Sequence, residues 1–275
     1  MRIKAIAFIL LFVLNLQAQE RIVSLSPSIT EILFALGKGE NIVGTSSYSN
    51  YPPEAKKLPA VGAYSQPHFE KILALLPSLV IGQTFNQRTL EKLKKFKIKT
   101  LQVNLKTLTN ITDSISLMAR EVGSTKDKEL VRDITNAITK HKKAKNPHSV
   151  MIVYGLREDL RNATYIAGHN IFFEDIIESC GHTNAYTANS TRQPVLNYEN
   201  IIAINPDQII ILHSQATQAN VNVKKALEGW YKLPTNAAKN RNISIVNKDY
   251  IHIPSHRVAL SIDILRREMN QYNLP

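Results

Sequence analysis

Two glutamates and a scatter of histidines are the residues of this chain whose type and spacing carry chemistry. Glu70 lies in "PHFEKILALLPSLVI" and Glu199 in "LNYENIIAINPDQII". Each follows an aromatic residue (Phe69, Tyr198) and precedes an isoleucine by two positions (Ile72, Ile201). Pro77 and Pro206 then follow at one and the same interval, each ahead of an aliphatic run. An acid in a first helical turn complements the helix dipole, which is one reading of either glutamate alone. Two acids in matched frames also suit a partner with two-fold symmetry. His68, His169, His252 and His256 carry imidazoles, common ligands for iron, nickel, cobalt and zinc, though each also reads as an ordinary surface or capping histidine. Arg192 and Arg257 can grip an anion bidentately, or sit on the surface.

Signatures of catalysis are missing. The chain has no GxSxG elbow, no Walker loop and no GxGxxG fingerprint, and the "HIPSH" stretch is broken by Pro254 and lacks the HExxH glutamate. His213, at the end of "IIILH", stands where α/β enzymes often place a catalytic group. Without a partner nucleophile it does not define an active site, so the chain reads as a non-enzyme. Cys180 is the single cysteine, which excludes an internal disulfide.

These residues need elements to position them. "RIVSLSP" reads as a buried strand and "SITEILFALG" as a helix, with Ser28 as its cap, Glu31 completing a capping box and Gly37 as its stop. Strands "NIVGTS", "SLVIG" and "KTLQV" follow, with the helical "NQRTLEKLKKF" among them. The second half repeats the alternation with "SVMIVYG", "NIFFEDIIESCG", "DQIIILH" and "ISIVN", closing on an amphipathic helix through Val258, Ile262 and Leu265. This alternation predicts an α/β fold with mostly parallel sheets. Between the halves, Leu130, Ile134, Ala137 and Ile138 recur at helical steps before Pro147. A helix from Lys126 to Ala144 would span roughly 28 Å, a strut rather than a flexible linker.

The N-terminal "MRIKAIAFILLFVLNLQAQE" has the layout of a secretory signal peptide, with Arg2 and Lys4 ahead of a short apolar run and Ala18 before the cut. The run is too short to span a membrane. No cysteine follows it, so no lipid anchor is expected. The predicted organisation is a signal at 1–18, an N-terminal lobe at 19–125, a connecting helix at 126–145 and a C-terminal lobe at 146–275. The formal net charge of +12 comes from dispersed lysines without interleaved aromatics, which argues against nucleic acid.

The motifs "RIVSLSPSITEILFALG", "IVGTSSYSNYPPEAKKLPAVG", "FEKILALLPSLVIG" and "NYENIIAINPDQIII" resemble periplasmic substrate-binding proteins of ABC importers, in the branch for vitamin B12 and ferric siderophores. The resemblance covers nearly all of the mature chain. It implies two Rossmann-like lobes joined by a single long α-helix, a ligand cleft between them, and docking onto a permease dimer through Glu70 and Glu199. It implies a periplasmic protein, expected to act as a monomer, without an intrinsic cofactor, whose cargo is a metal chelate. By position, the family's cleft residues fall at Tyr48, Tyr64, Gln83, Tyr165, Gln193 and Asp249, and the four histidines lie on segments near that cleft. Cobalamin receptors place large aromatics at several of these points. This chain has Gln83 and Gln193 there, and the more polar wall leaves a ferric siderophore, a corrinoid, haem, or a bare or histidine-chelated divalent metal such as nickel as candidate cargoes.

Overall fold

The computed structural model describes residues 20–140, 144–161, 163–188, 193–214 and 221–271. The expected signal peptide and Arg192 lie outside the described residues. The chain divides into two compact units, with the boundary between Val103 and Asn104.

In the first unit, β1 (Ile22–Ser24), β2 (Ile42–Gly44), β5 (Leu79–Gln83) and β6 (Lys99–Val103) form a parallel sheet in the order β2-β1-β5-β6. The short hairpin β3 (Gly62–Ala63) and β4 (Gln66–Pro67) stands apart from it. Ile22, Val23, Val80 and Ile81 are fully buried, as a parallel sheet covered on both faces demands. Helices α1 (Pro27–Ala35), α2 (Phe69–Ala74) and α3 (Gln87–Lys95) belong to this unit.

The start of α1 differs from the sequence expectation. Ser26, not Ser28, is the cap, its Oγ accepting from the Ile29 amide at 3.3 Å. Pro27 follows at the first helical position, where its fixed φ and missing N–H cost nothing. Gly37, at φ +77°, ends the helix as expected.

In the second unit the sheet runs β10-β8-β7-β11-β12, with β9 also pairing β7. Strands β7 (Ser149–Tyr154), β9 (Thr183–Asn184), β11 (Gln208–His213) and β12 (Ile243–Asn247) are mutually parallel, while β8 (Thr164–Ile166) runs antiparallel to both β7 and its other neighbour β10 (Val195–Leu196). The helices are α4 (Leu108–Glu121), α5 (Asp127–Thr139), α6 (Phe172–Ser179), α7 (Tyr198–Ile204), α8 (Val223–Tyr231), α9 (Asn236–Lys239) and α10 (Val258–Asn270).

The expected strut corresponds to α5, which ends well before Pro147 and belongs to the second unit. Its apolar stripe, with Ile134 and Ala137 buried, faces partners that periodicity alone could not name. It packs against α10 and α4. Buried Arg266 of α10 donates to the carbonyls of Ala137 at 2.6 Å and Ile138 at 3.2 Å. These bonds satisfy orphan carbonyls of the last turn and set a cation at the negative end of the helix dipole.

The repeated motif is a repeated structure. Helix α2 is followed by Leu76 at φ +45°, Pro77 and β5; helix α7 is followed by Asn205 at φ +50°, Pro206 and β11. Ile72 and Ile201 are both fully buried. Each copy delivers a strand beside the first strand of its own unit, β5 against β1 and β11 against β7.

At the amino edge of the second sheet, the His148 and His182 rings lie 4.0 Å apart between centroids. His148 Nε2 lies 2.9 Å from Gln208 Oε1, whereas both ring nitrogens of His182 lack a hydrogen-bond partner among the described residues. Burial, with a smaller contribution from His148, lowers the His182 pKa to about 4. His252 and His256 are also lowered to about 4, by burial first. The unfolded chain, with histidines near 6.5, binds more protons than the folded one between these values. The contribution of these histidines to stability is therefore complete above about pH 6.5 and is lost as pH falls through about 4. His182, with neither ring nitrogen hydrogen-bonded among the described residues, contributes to this loss. Thermal melts at pH 7 and pH 4.5 should show a marked drop, and His182→Leu should flatten it. An unchanged slope in that variant would remove His182 from the account.

Candidate functional site

In open α/β sheets, ligands gather outside the carboxyl ends of the strands, where the strand order reverses. In the first unit that point lies between β1 and β5, since β2 is on one side of β1 and β5 and β6 are on the other. Gln83 ends β5 there, and its Nε2 donates to Ser26 Oγ at 3.0 Å, spanning the switch point. Asn86 locks the turn beyond it, its Oδ1 accepting from the Gln83 amide at 2.9 Å and its Nδ2 donating to the Tyr64 carbonyl at 2.8 Å.

The loop after β2 carries Tyr48, and buried hydroxyls hold it from beneath. Thr30 Oγ1 lies 2.8 Å from Ser24 Oγ, 2.7 Å from Thr45 Oγ1 and 3.1 Å from Ser49 Oγ, and Ser46 and Ser49 meet at 2.8 Å. A buried network whose members satisfy one another fixes a loop more firmly than apolar contact does. Above this floor, Tyr48 is 59% exposed, Tyr64 47% and Phe85 51%. Tyr64 and Phe85 meet edge to face at 5.7 Å, so two rings present one joined surface. Phe85 stands two residues beyond Gln83 in "GQTFN", a position that nothing in the sequence marks as part of a ring surface. His68 is exposed and opens α2 without a side-chain cap.

In the second unit the switch point lies between β7 and β11. Tyr154 ends β7, with its ring 5.6 Å from Phe173 and 5.7 Å from His252. Burial raises the Tyr154 pKa above the usual phenol range, and burial also keeps His252 neutral at neutral pH. Tyr165 of β8 pairs with Tyr154 in register and is 40% exposed, with the Arg157 guanidinium 5.5 Å from its ring. Arg157, unremarked in the sequence, thus supplies a cation over the tyrosine. Asp249 accepts from Ser214 Oγ at 2.9 Å, which ties the loop after β12 to the end of β11. Arg257 lies 5.2 Å from the Tyr250 ring, and His256 Nδ1 is buried without a hydrogen-bond partner among the described residues.

Two expected residues stand apart from this edge. Strand β8 runs antiparallel to β7, and the Ala167 amide bonds the Ile152 carbonyl, so the chain is heading to the opposite edge as it reaches His169. There Glu174 engages His169 Nδ1 and also accepts from the Asn170 amide at 2.6 Å. The Gln193 amide is occupied by the Ile166 carbonyl, extending the β8–β10 pairing. Among the described residues, no three His, Cys, Asp or Glu side chains converge to hold a metal ion.

Glu70 and Glu199 are exposed in the first turns of α2 and α7. The Tyr198 hydroxyl donates to Glu199 Oε1 at 3.4 Å. Beside Glu70, Lys92 Nζ lies 3.7 Å from the Phe69 ring centroid, and Phe69 packs edge to face on Phe96.

Each unit thus carries a mainly parallel sheet with exposed aromatic rings toward the carboxyl ends of its strands, an α/β architecture. Residues 22–250 match the periplasmic binding protein family, and the chain belongs to it. It is 30% identical over 203 residues to the vitamin B12-binding protein of Pectobacterium atrosepticum, covering 70% of this chain and 71% of that one. It is 29% identical to the Vibrio vulnificus vitamin B12-binding protein, covering 94% and 93%. Among solved structures, the apo periplasmic heme-binding protein of Roseiflexus sp. RS-1 superimposes with TM-score 0.74 at 27% identity, covering 93% of this chain and 99% of that one. The periplasmic vitamin B12-binding protein of Vibrio cholerae gives 0.75 at 25% identity, covering 92% and 97%.

Proposed function

We propose that this chain is the receptor of an ABC importer, that it captures a tetrapyrrole-sized metal chelate such as a corrinoid or haem, and that it performs no covalent chemistry. The observation that carries this reading is the set of exposed rings, Tyr48, Tyr64, Phe85 and Tyr165, at the carboxyl edges of the sheets. Flat apolar faces with polar tips suit a broad, planar chelate whose rim bears hydrogen-bonding groups. Gln83, two residues before Phe85, and Arg157, over the Tyr165 ring, are polar groups suited to such a rim, and Asp249 is a further candidate. The vitamin B12-binding and heme-binding relatives support the same cargo class. A bare or histidine-chelated metal ion receives less support, because His169 is engaged by Glu174 and the described histidines do not assemble a coordination site. In this reading residues 1–18 direct export to the periplasm, the mature protein carries no lipid, and Glu70 and Glu199 meet the permease dimer.

The deciding experiment is an absorption spectrum taken after mixing with cobalamin, haem, ferric siderophores or nickel–histidine and then desalting. Retention of a tetrapyrrole band at one chelate per chain is expected. Retention of nickel–histidine or a siderophore alone would overturn the cargo assignment.

A further inference from the structure

Beside Tyr198, within the second unit, a surface hollow of about 190 Å³ is lined by Leu160, Gly229, Leu233 and Tyr198, with Glu158 and Arg161 as its charged neighbours. Its size decides what it can hold. Ligand and cofactor pockets run from about 300 Å³ upward. A cavity near 150 Å³ accepts a benzene-sized group. The hollow is therefore matched to a single large side chain, not to a small-molecule ligand.

Its glycine points the same way. Gly229 lies inside α8, where glycine costs roughly 0.5–1 kcal/mol relative to alanine. Nothing local demands it. Its φ is not positive, and a Cβ there would make only ordinary contacts, at 3.8 Å to the Glu158 carbonyl oxygen and 3.9 Å to Leu160 Cδ1. What the missing side chain does is leave the hollow open.

The surrounding charges select the neighbour of that side chain. Arg161 donates to Asp159 through Nε at 3.0 Å and a terminal nitrogen at 2.9 Å. Lys225 pairs with Glu158 at 2.8 Å. These pairs cancel internally. Glu199, adjacent to Tyr198 in sequence, is in no ion pair among the described residues and meets the neutral Tyr198 hydroxyl. The site is thus an apolar socket with one uncompensated acid at its edge.

We propose that this hollow seats one aromatic or large aliphatic side chain of the permease, from a segment whose neighbouring basic residue pairs with Glu199. The inference rests on the reading of Glu199 as a docking acid and adds the anchor beside it. A buried apolar anchor ringed by a charged contact is the usual build of a binding hot spot. The counterpart surface around Glu70 carries a Phe69–Phe96 pair with Lys92 above it, so two matched acids sit in unmatched surroundings.

The test measures binding to the permease dimer this receptor serves, held in lipid nanodiscs, with empty nanodiscs as the blank. Gly229→Leu fills the socket at a position inside α8 where leucine is a better helix former than glycine, so the melting temperature should hold or rise. Gly229→Ala serves as the folding control. Gly229→Leu should weaken docking at least tenfold with cargo affinity unchanged, and Glu199→Ala should weaken it independently. Loss with Glu199→Ala but full docking by Gly229→Leu would overturn the socket and leave the docking acid standing. Full docking by both variants would overturn the docking reading and the socket with it. Loss with Gly229→Leu alone would remove the basic neighbour and overturn the proposal as stated.

Discussion

The double variant Glu70→Lys/Glu199→Lys should abolish uptake while leaving cargo affinity unchanged. Truncating one member of a desolvated charge pair costs about 2–5 kcal/mol, whereas an exposed rim pair is worth less than about 1. Each alanine variant should thus lower docking by roughly 30-fold or more, since about 1.4 kcal/mol is tenfold. Lysine should be worse, because repulsion is added to the lost contact. Acidic substitutions at the facing basic residues of the permease should restore part of the binding. The competing account is helix-dipole complementation in α2 and α7. It yields about 0.3–1 kcal/mol per acid, so it forecasts a slightly lower melting temperature and normal uptake. Uptake, melting temperature and cargo affinity measured on the same variants separate the two. Normal uptake by the double lysine variant would reduce the repeat to a trace of similar architecture in two units.

Replacement of Tyr48, Tyr64 and Tyr165 by alanine should weaken capture of the chelate by about 100-fold. The estimate takes about 1 kcal/mol per ring beyond simple area. Folding should survive, because all three rings are substantially exposed and none belongs to a core cluster. Phe85→Ala should add to the loss and should do so non-additively with Tyr64→Ala, since the two rings touch. Titration by tryptophan fluorescence has a clean reporter, because buried Trp230 is the single tryptophan. Unchanged affinity in the triple variant would move the site away from these edges.

Much of this protein was legible in order of residues. The aliphatic runs that became β5, β7 and β11 announced themselves because strands buried on both faces have no polar side to interrupt them. The matched sequence frames of Glu70 and Glu199 were visible for a similar reason. A first-turn acid, a buried isoleucine and a proline before a strand are local rules, and local rules are written in consecutive residues. Gly37 and Gly181 ended their helices at positive φ, where few residues but glycine rest easily.

Tertiary structure decided the rest. The cap of α1 moved to Ser26 because Pro27 claims the first helical position. Periodicity marked an apolar stripe on α5, but only packing showed that α10 covers it and that Arg266 reaches its last carbonyls. His169 looked equivalent to His252 as a residue type. The reversal of β8 sends one toward Glu174, while the loop after β12 lays the other against Tyr154. Phe85, Arg157 and the open floor at Gly229 gave no signal in sequence. Their roles come from neighbours that folding brings against them: Phe85 meets Tyr64, Arg157 lies over Tyr165, and Gly229 faces Leu160. A sequence dictates which elements form and which faces they must bury, because those depend on local periodicity. Which side chains share a site depends on strand order and direction, and those exist only once the sheets have assembled.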